Sequence, residues 1–209
     1  MSDCCQQKGC EVQAMRETHG RLLWIVLAIN TAMFFVEGWA GILAHSTSLM
    51  ADALDMLGDA LVYAFSLIVL ARSLRWQAGA AIAKGCFMLV FGIGVLGEAI
   101  YKTIHPIMPA VATMGIIGTV ALAANIVCFS LLYRHRGENL NMSSTWLCSR
   151  NDLIANVGVL IAAGSSYLLV SRWPDIIVGA MIAALFLKSS VGVLRQGFEQ
   201  WRAKPGLIS

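Results

Sequence analysis

Six apolar runs, each about 20 residues or longer, take up nearly the whole of this chain. They lie near 21–44, 48–71, 79–103, 110–133, 142–170 and 173–194. A run of about 20 apolar residues matches a hydrocarbon layer of ~30 Å. Backbone amides inside such a layer have no water to bond, so each run must satisfy its own hydrogen bonds as a helix. Composition agrees: of 209 residues, 58% are hydrophobic and 13% charged, with a mean hydropathy of +0.71. Soluble domains carry roughly a quarter charged residues. The expected fold is therefore an all-α integral membrane protein, a six-transmembrane-helix bundle.

The loops orient it. Lys8, Arg16, Arg21, Arg72, Arg75, Arg134, Arg136, Arg195, Arg202 and Lys204 share one side if both ends do, against Lys102 and Arg172 on the other. Basic loops stay in the cytoplasm, so both termini are expected there. Residues 1–20 then form a cytoplasmic tail carrying Cys4, Cys5 and Cys10, residues 21–195 the six-helix domain, and 196–209 a second short tail. The tail thiols either capture a soft metal or are incidental. The first run has no small-residue cleavage site and is expected to be retained. The residues after the sixth run are too few for a second core. No basic cluster is interleaved with aromatics, which sets nucleic-acid binding aside.

Charges inside the runs are the functional candidates, because an ionised group in hydrocarbon costs several kcal/mol or more. The second run holds Asp52, Asp55 and Asp59. At about 100° per residue these fall within roughly 60° of one another, one acidic stripe. Gathered carboxylates share a cation, share protons, or do both. The fifth run carries Cys148 and Asp152 four residues apart, on one helical face. At 1.5 Å per residue, Asp59 lies ~16 Å from the outer end of its helix and Asp152 ~15 Å from the inner end of its own. Both then sit near the bilayer midplane. If the two faces meet, Asp55, Asp59, Cys148 and Asp152 offer three oxygens and one sulfur, a set suited to tetrahedral Zn(II) or Cd(II). Asp52 reads as support for these ligands or as a gate. Asn156 reads as a packing hydrogen bonder or a ligand, and Cys148 as a ligand or a small packing residue. Arg150 faces away from Cys148, with pairing to Glu37 or Glu98 and snorkelling all open. Lys84 and Lys188 are expected to snorkel or pair with acids, and Cys86 and Cys128 to lie in the core.

These residues resemble the cation diffusion facilitator family. Asn30 and Glu37, followed by Ser46, Thr47, Ser48, Leu49 and then Ala51, Asp52, Ala53, are similar to that family's first two helices. Asp55 and Asp59 match its ligand pair on the second helix, and Asp152 with Asn156, Val157, Gly158, Val159 and Leu160 its pattern on the fifth. The resemblance covers nearly all of 21–195 and implies Asp55, Asp59, Cys148 and Asp152 as metal ligands. Asp52, Asn156, Asn30 and Glu37 then take supporting or gating places. It departs at Cys148, where the family carries His, and a thiolate favours softer metals. It departs again after the sixth helix, where the family's ferredoxin-like cytoplasmic domain is expected to be missing, so that a homodimer would rest on membrane helices.

The implied activity is secondary transport: export of a divalent transition metal, Zn or Cd first and Fe, Co or Ni also compatible, in exchange for protons. The partners are metal ions, protons and lipid, with no cofactor beyond the transported ion, and the location is a bacterial inner membrane. No Gly-rich phosphate loop is present to couple ATP directly. Two other functions are compatible with paired intramembrane aspartates. A membrane metal sensor would bind without moving the ion. An intramembrane aspartyl protease also uses paired aspartates, but its Gly-x-Gly-Asp context is replaced here by Met56, Leu57, Gly58 and Asp59. A non-enzymatic protein is expected.

Overall fold

The computed structural model describes residues 2–68, 74–134 and 142–202, with side chains described for all of these but 2–20, 66, 68, 74–75, 77, 134 and 142–151. Every described element is a helix: α1 (Ser2–Leu43), α2 (Thr47–Ile68), α3 (Leu74–Ile104), α4 (Val111–Arg134), α5 (Met142–Leu169) and α6 (Trp173–Arg202). The six expected runs are all there. Three of them extend well past the expected runs: α1 starts at Ser2 and so includes the polar head, α3 starts at Leu74, and α6 continues to Arg202. Helical propagation adds one hydrogen bond per residue, so a helix started in the membrane readily runs past its apolar stretch.

Among the described residues, five helices are long and apolar enough to cross a membrane, over Arg21–Leu43, Ala78–Ile104, Val111–Tyr133, Asp152–Leu169 and Trp173–Arg202. The sixth, α2, has 22 residues, ~33 Å at 1.5 Å per residue, but it carries the three aspartates. It is sheltered from lipid, touching α1, α3, α5 and α6. Around it α3 packs chiefly on α6 and α4 on α5. Large apolar side chains point outward, among them Phe35, Trp39, Val90, Ile161 and Leu168, as expected where the surroundings are hydrocarbon. The protein is a helical membrane bundle.

The connections at one end are short and tightly built. At the end of α1, Ser46 N–H donates to Gly41 O at 2.9 Å and His45 N–H to Ile42 O at 3.2 Å. His45 takes a left-handed φ of 48°, which closes the helix as a Schellman motif without glycine. Ser46 then caps α2, its Oγ accepting from Leu49 N–H at 3.1 Å. Ala110 N–H bonds Ala44 O at 2.8 Å, tying the α3–α4 link to the same turn. We call this the turn end, and the opposite one the terminal end. The terminal end holds an apolar cluster of Leu23, Val26, Val62, Tyr63, Cys128 and Leu132.

One glycine sets how closely α2 and α6 approach. A Cβ on Gly179 would stand 2.6 Å from the Thr47 carbonyl carbon and 2.7 Å from Ser48 N. No side chain fits between two backbones that near, which is how small residues tighten helix packing in membranes.

Candidate metal site in the helix bundle

The acidic stripe of α2 is graded along its length. Ser46, Thr47, Ser48, Leu49, Ala51 and Asp52 have no measurable exposure. Two turns further in, Asp55, Leu57, Gly58 and Asp59 are only half-buried. The stripe is therefore sealed at Asp52 and half-exposed at Asp55 and Asp59, with Val62 and Tyr63 buried again beyond it.

At its sealed part α1, α2 and α5 meet. Asn156 Nδ2 of α5 donates to Asp52 Oδ1 at 3.1 Å. The same nitrogen lies 3.1 Å from the Asp152 backbone oxygen one turn earlier. Glu37 of α1, fully buried, sits against the Asp52 carboxyl and within electrostatic reach of Asp55. Asp152, half-buried, bears on Asp52 in the same way. Apart from each other, the Glu37 carboxyl oxygens and Asp52 Oδ2 have no hydrogen-bond partner among the described residues, nor has Asn156 Oδ1. Such a set is costly in low dielectric, where unpartnered polar atoms lose the full hydration they had in water.

The expected residues distribute as follows. The α2 and α5 faces do meet, through Asp52 and Asn156. Glu37 and Asp52 form the dry part, while Asp55, Asp59 and Asp152 form the half-open part. Among the described residues no three His, Cys, Asp or Glu side chains converge closely enough to hold a metal ion. Cys148 lies on α5 outside the residues whose side chains are described, as do Arg150 and the tail thiols Cys4, Cys5 and Cys10. Asn30 stands apart: its Nδ2 donates to Val26 O at 2.8 Å and lies 3.8 Å from Cys128 Sγ, which places it toward α4. Cys128 is buried as expected, whereas Cys86 is exposed on the outside of α3, where a thiol serves as well as a small hydrophobe against lipid.

Two charged residues near helix ends belong to the interior. Lys102, counted above among the outward loop charges, is a residue of α3 with 1% exposure. Its Nζ lies 3.2 Å from Glu98 Oε1 and 3.0 Å from Thr47 Oγ1. Glu98 therefore has a cation of its own helix and does not depend on Arg150. Asp175, in the first turn of α6, is also 1% exposed. Its Oδ1 accepts from Ser46 Oγ at 2.8 Å, Ser48 N–H at 2.9 Å and Ser48 Oγ at 2.7 Å, and its Oδ2 from Thr47 N–H at 2.8 Å. The partners are over 120 residues away in the chain, so no local pattern reveals them. The only sequence signal was the run of three hydroxyl residues at the start of α2, all with donors to give.

Comparison with known proteins agrees with this architecture. Residues 23–200 match the model of the cation efflux transmembrane domain. The zinc transporter ZitB of Yersinia pestis is 29% identical over 202 residues, covering 88% of this chain and 64% of that protein. A cadmium, cobalt and zinc/H(+)-K(+) antiporter of Bacillus velezensis is 26% identical over 84% of this chain and 60% of its own length. The metal cation efflux system protein CzcD of Cupriavidus metallidurans is 25% identical over 85% of the chain and 62% of its own. The chain thus spans under two thirds of the length of the curated relatives it matches. With an all-helical bundle, an acidic stripe on its central helix and a family match running from the first span to the last, the chain belongs to the cation efflux family.

Proposed function

We propose that this chain forms the membrane part of a secondary transporter that exports a divalent transition metal, zinc or cadmium first, from the cytoplasm of a bacterium in exchange for protons. The observation that carries this reading is the graded acidic face of α2: a sealed Glu37–Asp52 pair continuing into half-open Asp55 and Asp59, with Asp152 brought alongside from α5. Carboxylates arranged so can accept a dication from one side and release it to the other. The relatives' names, zinc transporter and cadmium, cobalt and zinc antiporter, support both the cargo and the exchange.

In this reading Asp55, Asp59 and Asp152 with Cys148 are the ligands, and Asp52, Glu37 and Asn156 support them. Oxygen and thiolate donors together suit a borderline to soft ion. A dication and protons compete for the same carboxylates, so metal binding releases protons. Exposing the face alternately to the two sides then couples metal flow one way to proton flow the other. In this reading both termini lie in the cytoplasm. Burial of Lys102 favours this, since it removes one of the two basic residues counted on the outside.

The test is zinc uptake into inverted vesicles under an imposed pH gradient. Wild type is expected to accumulate zinc, and Asp59→Ala and Asp152→Ala each to lose most of that uptake. Undiminished uptake in both variants would sink the site assignment.

A further inference from the structure

The buried charges at the turn end are not needed to bind an ion, and their placement points to a different task. The acidic face of α2 is shut off from the turn end by the first turn of α2 itself, which is wedged between α3 and α6. Asp175 of α6 collects four donors from Ser46, Thr47 and Ser48. Lys102 of α3 grips Thr47 from the other side and is neutralised by Glu98. Capping α2 does not require this. Ser46 already supplies the side-chain cap to Leu49, and a capping carboxylate from the same strand of chain would have served.

We propose that Asp175 and Lys102 are positioning residues forming a latch, which holds α2 to α6 and α3 and must release for the acidic face to open at the turn end. Four bonds converging on one carboxylate separate together, because moving α6 away strands every donor at once. That gives the junction two discrete arrangements rather than a continuous range. Gly179 lets the two backbones meet at the same level, so the latch closes on direct backbone contact. On the acidic face itself, exposure is nil at Asp52 and intermediate at Asp55 and Asp59, as a face latched at its turn end should show. This deepens the transport reading and rests on it, since only a carrier needs its site to face both sides in turn.

The experiment reads each end separately. The full chain in lipid nanodiscs, with Ala44→Cys at the turn end or Leu23→Cys at the terminal end, is treated with a hydrophilic maleimide. Labelling of the new cysteine is followed by peptide mass spectrometry. Both positions are buried in the closed arrangement. Asp175→Asn and Lys102→Met are each expected to raise labelling at position 44 by about tenfold, the scale of one lost hydrogen bond to a charged group. Labelling at position 23 should stay within about twofold. Ser48→Ala, which removes one donor and leaves the rest, should give a smaller rise at position 44 and decides the matter if the charge variants do not fold. Equal rises at both ends would show that these residues merely stabilise the bundle, and unchanged labelling would show that they hold nothing shut; either result overturns the latch. Zinc flux in vesicles is measured alongside. Absent flux in the wild type counts against the transport reading, while the labelling ratio still judges the latch.

Discussion

Two fully buried carboxylates on or against α2 stand in opposite conditions. Asp175 has four donors at 2.7–2.9 Å, whereas among the described residues Asp52 has Asn156 on Oδ1 and, beyond that, only the Glu37 carboxyl against it. A saturated buried carboxylate contributes to structure; an unsaturated one next to a second, Glu37, is held in place by its surroundings and has capacity left for a proton or a cation. Asn156 is the amide that donates to Asp52. Asn156→Ala is therefore expected to destabilise the protein by about 1–3 kcal/mol, the cost of leaving a buried acceptor unmade. Asn156→Asp, which replaces the donor with a further carboxylate, should cost more. Thermal unfolding of the purified protein in detergent measures both, and a melting temperature for Asn156→Asp at or above that of Asn156→Ala would count against this account.

At the scale of elements, α2 carries three carboxylates on one face and brings them among α1, α3, α5 and α6, all of which it touches. Its contact with α6 depends on the absence of a side chain at Gly179. A methyl there, 2.6 Å from the Thr47 carbonyl carbon, could be accommodated only by pushing two backbones apart. Gly179→Ala is expected to lower stability by roughly 1–3 kcal/mol, the usual cost of overpacking. Gly94→Ala on α3 is the control. A Cβ there meets nothing within 4 Å, and alanine favours a helix over glycine by up to about 1 kcal/mol, so the melting temperature should hold or rise. Equal losses in the two variants would show that close approach at Gly179 does not matter.

For the whole molecule, a chain with its basic loops on one side should insert with both ends in the cytoplasm. A fluorescent reporter fused after Ser209 is expected to light up, and a periplasmic phosphatase fused at the same place to stay inactive; the reverse pattern would invert the bundle. The existence of six helices and the nature of the acidic stripe were legible in the sequence, for a local reason. Run length sets whether a segment crosses hydrocarbon, and the 3.6-residue period sets which side chains share a face. Asp52, Asp55 and Asp59 had to lie together wherever α2 went. Lys102 and Asp175 show the limit of such reasoning, for both stand at helix ends, where a charge ordinarily meets water or headgroups. That Lys102 turns inward to Glu98 and Thr47, and Asp175 to the start of α2, depends on α3 and α6 packing on α2 from distant parts of the chain. The division of the stripe into a sealed Asp52 and half-open Asp55 and Asp59 arises in the same way. The sequence by itself determined which groups the membrane must shelter. The tertiary structure decided which of them are satisfied, since a buried charge finds its partner across helices and no periodicity within one helix can name it.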